Sequence, residues 1–181
     1  MTVRDSVIRV LNAWAAPNPD QDALREAVLG FVLARPDSCE RACEPGHVTA
    51  STALLDSTGS RVLLTLHPRL GRWVQLGGHC EPHDTDIQTA ALREATEESG
   101  VTGVQLGELA ALHVHALTCS LGKPTRHLDL QFVATAPPGA EITISDESLD
   151  LRWWPVDTLP QDTDHSVRAL VAAARAQRSL E

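Results

Sequence analysis

Three glutamates, Glu94, Glu97 and Glu98, stand at i, i+3 and i+4 within the stretch LREATEES. On a helix that spacing sets them on one face. Like charges so placed repel by about 0.2–0.5 kcal/mol per pair. A hard divalent cation reverses the penalty, because Mg²⁺ and Mn²⁺ prefer carboxylate and water oxygens. Arg93 lies four residues before Glu97 and can orient an acid or offset the charge of the cluster. Upstream, Gly77-Gly78 permits close backbone approach, and a carbonyl there can add a ligand. A bare acidic helix face is more often simply solvated, so the surroundings decide between the two readings.

Those surroundings carry a pattern. Residues 77–101 read GGHCEPHDTDIQTAALREATEESGV. The segment resembles the Nudix box: Gly, five residues, Glu, seven residues, Arg-Glu, an aliphatic, any residue, Glu-Glu, any residue, Gly, an aliphatic. Arg93-Glu94-Ala95-Thr96-Glu97-Glu98-Ser99-Gly100-Val101 fits its second half, with Ala95 small for an aliphatic position. In the first half Gly78 is followed by five residues and then by Asp84, and eight residues separate Asp84 from Arg93. The loop therefore carries one extra residue and an acid of the shorter kind, which leaves the role of Asp84 open.

The resemblance implies a Nudix α/β/α sandwich with a mixed β-sheet, and a pyrophosphohydrolase acting on acid anhydrides. It implies Glu97 and Glu98 as principal ligands of Mg²⁺ or Mn²⁺, Glu94 as a supporting ligand, and the Gly77 carbonyl as the backbone ligand. Arg93 matches the arginine that braces loop and helix. A distal acid before a late strand often completes such a site, and Glu147 is the candidate here. Its competing reading is an ordinary turn residue of Ser145-Asp146-Glu147-Ser148. Asp129 is the weaker candidate, since an acid on a strand can simply face solvent. The implied substrate is a small-molecule nucleoside diphosphate linked to another moiety. A homodimer is among the arrangements the family uses.

Positioning these groups requires a sheet and a buried helix. Ile87–Ser99 has Ile87, Ala90, Ala91, Leu92 and Ala95 on or near one stripe, and Gly100 sits where a C-cap glycine belongs. Before it, His47–Leu55 and residues 61–66 read as a hairpin around Ser57-Thr58-Gly59-Ser60, and residues 73–76 as a short apolar run. After it come strand patterns at 105–116, 128–134 and 151–154, then a helix at 166–178. Two helical patterns precede all of this. Val7, Ile8, Val10, Leu11 and Trp14 mark the first, which Pro17 and Pro19 end. Asp20 or Asp22 caps the second, which runs to Arg35-Pro36-Asp37. The organisation expected is an N-terminal helical extension over 1–40 and a Nudix domain over 41–181.

The bulk properties narrow the setting. A net charge of -9 argues against non-specific binding to nucleic acid or anionic membrane. It does not exclude a phosphorylated substrate, since bound metal reverses the local field. No stretch is apolar for long enough to span a membrane, and the N-terminus lacks a signal-peptide pattern. Cys39, Cys43, Cys80 and Cys119 do not form a secreted disulfide framework, so a reduced cytoplasmic setting is expected.

Several other residues invite a role. Cys39, Cys43 and His47 suggest zinc but lack a fourth ligand at a convincing spacing, so ordinary loop or half-buried thiols are expected. Cys80 reads as a small loop residue. His79 and His83 can reach phosphate, with His83 the more solvent-facing. His113 and His115 share a strand face, as do His127 and Asp129, and the set can line a substrate pocket. Trp73 is expected in the core, and Trp153 and Trp154 on opposite faces. Two rival functions remain: a Nudix-fold module that binds a metabolite without turnover, and, ranked last, an isoprenyl diphosphate isomerase using Cys80.

Overall fold

Thr2 opens the first helix with a reciprocal cap. Its hydroxyl accepts from the Asp5 N–H at 3.1 Å, and the Asp5 carboxylate accepts from the Thr2 N–H at 2.9 Å. The computed structural model describes residues 1–118 and 122–178. Helix α1 spans Val3–Ala13 and α2 spans Pro19–Ala34. The start of α2 differs from the expected cap at Asp20 or Asp22. Asn18 is the N-cap and Pro19 the first helical residue. A proline fits that position because its missing N–H has no partner in a first turn anyway.

Strands β1 (His47–Leu55), β2 (Arg61–His67), β3 (Arg72–Val74) and β4 (Leu76–His79) precede helix α3 (Ile87–Ser99). Strands β5 (Gln105–Thr118), β6 (Pro124–Thr135) and β7 (Asp150–Pro155) follow, and α4 (His165–Arg178) is last. The seven strands form one mixed sheet, with β1 parallel to β6 and every other pairing antiparallel. The expected hairpin is present but short, pairing only Leu54 with Leu63 and Leu55 with Val62. The remaining edge of β1 is taken by β4, through Thr49–Thr52 against His79–Leu76. The sheet thus splits beside β1, and the Gly77-Gly78 pair lies along the split.

Side chains on β1 alternate between two helical layers. Val48 and Ala50 pack with Ile87, Ala90 and Ala91 of α3 and with Val7, Leu11, Val28 and Val32 of the N-terminal helices. Ala53 and Leu55 face the other way, onto Val167, Leu170, Val171 and Ala174 of α4. The result is an α/β/α sandwich with α1, α2 and α3 on one face. The N-terminal helices share the core of α3 rather than lying outside it. Ser6 of α1, fully buried, accepts the backbone N–H of Ile87 at 2.8 Å and so satisfies the first residue of α3. Among the described residues, no helix is long and apolar enough to cross a membrane.

Candidate active site

Helix α3 has a defined entry and exit. The Asp86 carboxylate accepts from the Thr89 N–H at 2.7 Å at its N-cap, and Gly100, at φ 69°, ends it in the left-handed region. Ile87, Ala90, Ala91 and Ala95 are buried beneath it. Small alanines there let the helix lie close to β1 and β4, and this brings the glutamates to the glycine pair.

The contact is tight on both glycines. Gly77 has φ 152°, and a Cβ there would lie 2.4 Å from the Cβ of Ser51. A Cβ on Gly78 would lie 2.6 Å from Oε1 of Glu94. No residue with a side chain fits either position without displacing the strand or the acid. The Gly77 N–H donates to Oε2 of Glu98 at 2.9 Å, fastening the end of the cluster to β4.

Arg93 organises the other end. Its Nε donates to Oδ1 of Asp84 at 3.0 Å and its Nη2 to Oδ2 at 3.1 Å. The same Nη2 donates to the His79 carbonyl at 2.9 Å. Nη1 reaches Oε1 of Glu94 at 2.9 Å and Oε2 of Glu97 at 3.0 Å. Asp84 is thereby the structural partner of Arg93. Its side chain is wholly buried, and it receives the Glu81 N–H at 2.7 Å besides the arginine fork. Burial alone would raise its pKa, but Arg93 and the Glu81 N–H outweigh it and hold the carboxyl below the usual range.

The glutamates differ sharply. Burial raises Glu94 to about 7; Arg93 opposes the rise, and Glu97 and Glu147 add to it. Burial raises Glu98 to about 8; the Gly77 N–H opposes, and Glu94, Glu147 and Glu97 add to the rise. The Glu97 side chain is 61% exposed. Glu147, on the turn before β7, is exposed too, yet its charge acts on both half-buried acids, Glu94 and Glu98. Three neighbouring acids of one helix and a fourth, about fifty residues further along the chain, therefore share one field.

Asp129 departs from the expectation of a solvent-facing acid. It is 4% exposed and accepts from Thr49 Oγ1 at 2.9 Å, Ser51 Oγ at 2.7 Å, Gln131 Nε2 at 3.0 Å and Gln75 Nε2 at 3.4 Å. This network lies on the sheet face away from α3, where α4 begins, since Gln131 Nε2 also reaches Ser166 Oγ at 3.3 Å.

The histidines gather on the same face. His47 pairs in register with His127, which pairs with His115. His79 pairs with Thr49, one step along on the same side of β1. Ring centroids of His47, His79 and His127 are 4.9–5.0 Å apart. Burial depresses His79 to about 4 and His127 to about 3, and lowers His47 as well. Sequence spacing missed this grouping because the three residues come from three strands; only the alternation on each strand pointed toward it. The thiols suspected beside His47 go elsewhere. Cys39 and Cys80 hydrogen-bond each other, and Cys43 offers His47 its backbone carbonyl, 3.5 Å from Nδ1. Cys119 lies outside the described residues. His83 is solvent-exposed, as expected. Trp73 is buried edge-on to Trp154, while Arg61 lies over Trp153.

A mixed sheet between two helical layers, with a glutamate-bearing helix docked on a glycine pair, defines the Nudix hydrolase class. The model of the NUDIX domain matches residues 45–174, and the chain belongs to that family. No curated protein matches the sequence. Among solved structures, a NUDIX-family hydrolase from Clostridium perfringens is 26% identical, with a TM-score of 0.55 over 75% of this chain and 98% of that one. An Ap4A hydrolase from C. elegans is 19% identical, with a TM-score of 0.59 over 74% and 98%. A UDP-X diphosphatase is 14% identical, with a TM-score of 0.57 over 98% of this chain and 97% of that one. This last likeness is one of fold, and it extends over the N-terminal helices that the family match leaves out.

Proposed function

We propose that this Nudix hydrolase cleaves the diphosphate linkage of a nucleoside diphosphate joined to another moiety. In this reading Glu94, Glu97, Glu98 and the Gly77 carbonyl hold Mg²⁺ or Mn²⁺. The observation that carries it is a pair of half-buried carboxylates, Glu94 and Glu98, packed on the Gly77-Gly78 pair beside two further acids, where burial raises them to about 7 and 8. Such a cluster is costly unless a cation neutralises it, and its donors are all hard oxygens, which fits those two ions. When bound, the metal neutralises phosphate oxygens and makes a bound water more acidic.

The chain's own groups supply the rest. Arg93 fixes Glu94 and Glu97 in orientation and ties them to the loop through Asp84. Gly77 holds Glu98 through its N–H. Glu147, whose charge acts on Glu94 and Glu98, is the acid assigned to take the proton of the attacking water. The likeness in fold to a UDP-X diphosphatase, which includes α1 and α2, supports testing UDP-linked compounds first.

The test is product identification across a panel of UDP-linked and other nucleotide-linked diphosphates and dinucleoside polyphosphates, with Mg²⁺ or Mn²⁺. Hydrolysis that falls at least about 100-fold in Glu98→Gln is expected. Unchanged turnover in both Glu97→Gln and Glu98→Gln would remove the metal assignment. Ligand binding without turnover across the panel would replace the hydrolase reading with a binding module.

A further inference from the structure

We propose that His47, His79 and His127 form a second metal site, for a transition-metal ion of the Zn²⁺ type, on the sheet face opposite the glutamate helix. One ring nitrogen of each histidine lies within 4.8 Å of one from each of the others. The Nε2 atoms of all three are buried and find no hydrogen-bond partner among the described residues. His47 is itself 1% exposed. Buried polar atoms nearly always have a partner, so three clustered imidazoles that each keep an orphaned nitrogen point to a missing common ligand.

The chemistry of the donors selects the ion. Imidazole nitrogen suits Zn²⁺, Co²⁺, Ni²⁺ and Cu²⁺, whereas Mg²⁺ and Mn²⁺ prefer oxygen. The Arg41 guanidinium stands close enough to act on all three rings. Its positive charge opposes any cation there, so bonds to the three nitrogens must supply the binding. Tetrahedral zinc has ligand nitrogens about 2.0–2.1 Å from the metal, so small ring rotations must draw the three nitrogens inward. Three protein ligands leave a fourth position for water or a substrate oxygen.

The frame is rigid. His47 and His127 are register partners on the parallel β1–β6 pair, and His79 is held by the β1–β4 ladder. The two sites are joined through one strand: the His79 carbonyl accepts from Arg93 while its ring faces the other side. A metal at the histidines therefore fixes β4, and with it Gly77 and Gly78.

The experiment uses the full chain, stripped with a chelator and then given Zn²⁺ alone in the presence of excess Mg²⁺. Bound metal is counted by mass spectrometry. One equivalent of Zn²⁺ is expected, retained in the Glu97→Gln/Glu98→Gln variant. Its affinity should fall at least about 100-fold in His79→Gln or His127→Gln, the upper end of the loss seen for outer-shell partners alone. His113→Gln, on the same face, should leave it unchanged. Imidazole ¹⁵N resonances of the parent, followed during the titration, should show three rings becoming metal-bound, a reading that needs no variant to fold. No Zn²⁺ retained, or Zn²⁺ lost with the glutamates and kept without the histidines, overturns the proposal.

Discussion

Arg93 and Asp84 meet through two parallel hydrogen bonds, 3.0 and 3.1 Å long, inside the loop that precedes the glutamate helix. The arginine side chain is 11% exposed and the aspartate not at all. Removing one partner leaves a buried charge alone, at a cost of about 3–5 kcal/mol. Arg93→Ala should lose that much in denaturant unfolding. Arg93→Lys should recover little, because an ammonium cannot offer a planar fork. A double-mutant cycle with Asp84→Asn should show strong coupling; additive effects would mean that the pair does not hold the loop.

Gly77 and Gly78 should fail in different ways when changed to alanine. At Gly78 the new methyl meets a carboxylate end, 2.6 Å from Glu94 Oε1, and that side chain can swing aside. The chain should fold with nearly parental melting yet lose activity with Mg²⁺. At Gly77 the methyl meets the β1 backbone, 2.5 Å from the Ser51 Cα. Strand pairing must break there, so the melting temperature should fall sharply. Equal melting of the two variants would contradict this distinction.

Ser6 ties the N-terminal helices to the glutamate helix, α3. Ser6→Ala leaves the buried Ile87 N–H without its partner, a loss of about 1–3 kcal/mol by urea unfolding. Asn12→Ala, exposed on the same helix, should change stability by less than about 0.5 kcal/mol. The same packing predicts that a chain lacking residues 1–36 is insoluble, because Ile87, Ala90, Ala91 and Leu128 lose their cover. A soluble, cooperatively melting truncation would show the helices to be dispensable.

Asp56 gives a pH dependence remote from either site. It is 7% exposed in the β1–β2 turn and accepts the Ser60 N–H at 2.9 Å and the Arg61 Nε at 3.1 Å. Burial raises its pKa, but the Arg61, Thr58 and Ser60 hydrogen bonds outweigh burial and the net shift is downward. A lowered folded pKa contributes stability above the unfolded value of about 3.9, lost as pH falls through the folded one. Asp56→Ala should therefore be less stable than the parent at pH 7, with the gap narrowing below about pH 4. A gap independent of pH would mean that the charge is not what Asp56 contributes.

The Nudix box was legible residue by residue because it is local. Glu94, Glu97 and Glu98 fall on one face through the geometry of a single helix, and Gly100 and Arg93 stand at fixed offsets from them. Alternation likewise placed His127 with Asp129, and His113 with His115, on common faces. The cap of α2 was misread because Asn18-Pro19 looks like an interruption until the proline is seen as the first helical residue. Asp129 looked solvent-facing because no local pattern announces the four donors that reach it from β1, β6 and the residue before β4.

By itself the sequence determined the family and the glutamate helix, since these depend on spacings within a few turns of chain. Tertiary structure alone decided that Asp84 is the arginine's buried partner, that Glu147 shares the field of Glu94 and Glu98, and that His47, His79 and His127 meet. Those relations depend on strand register and on which helix covers which face. Register is set by the packing of the whole sheet, so no window of sequence contains it.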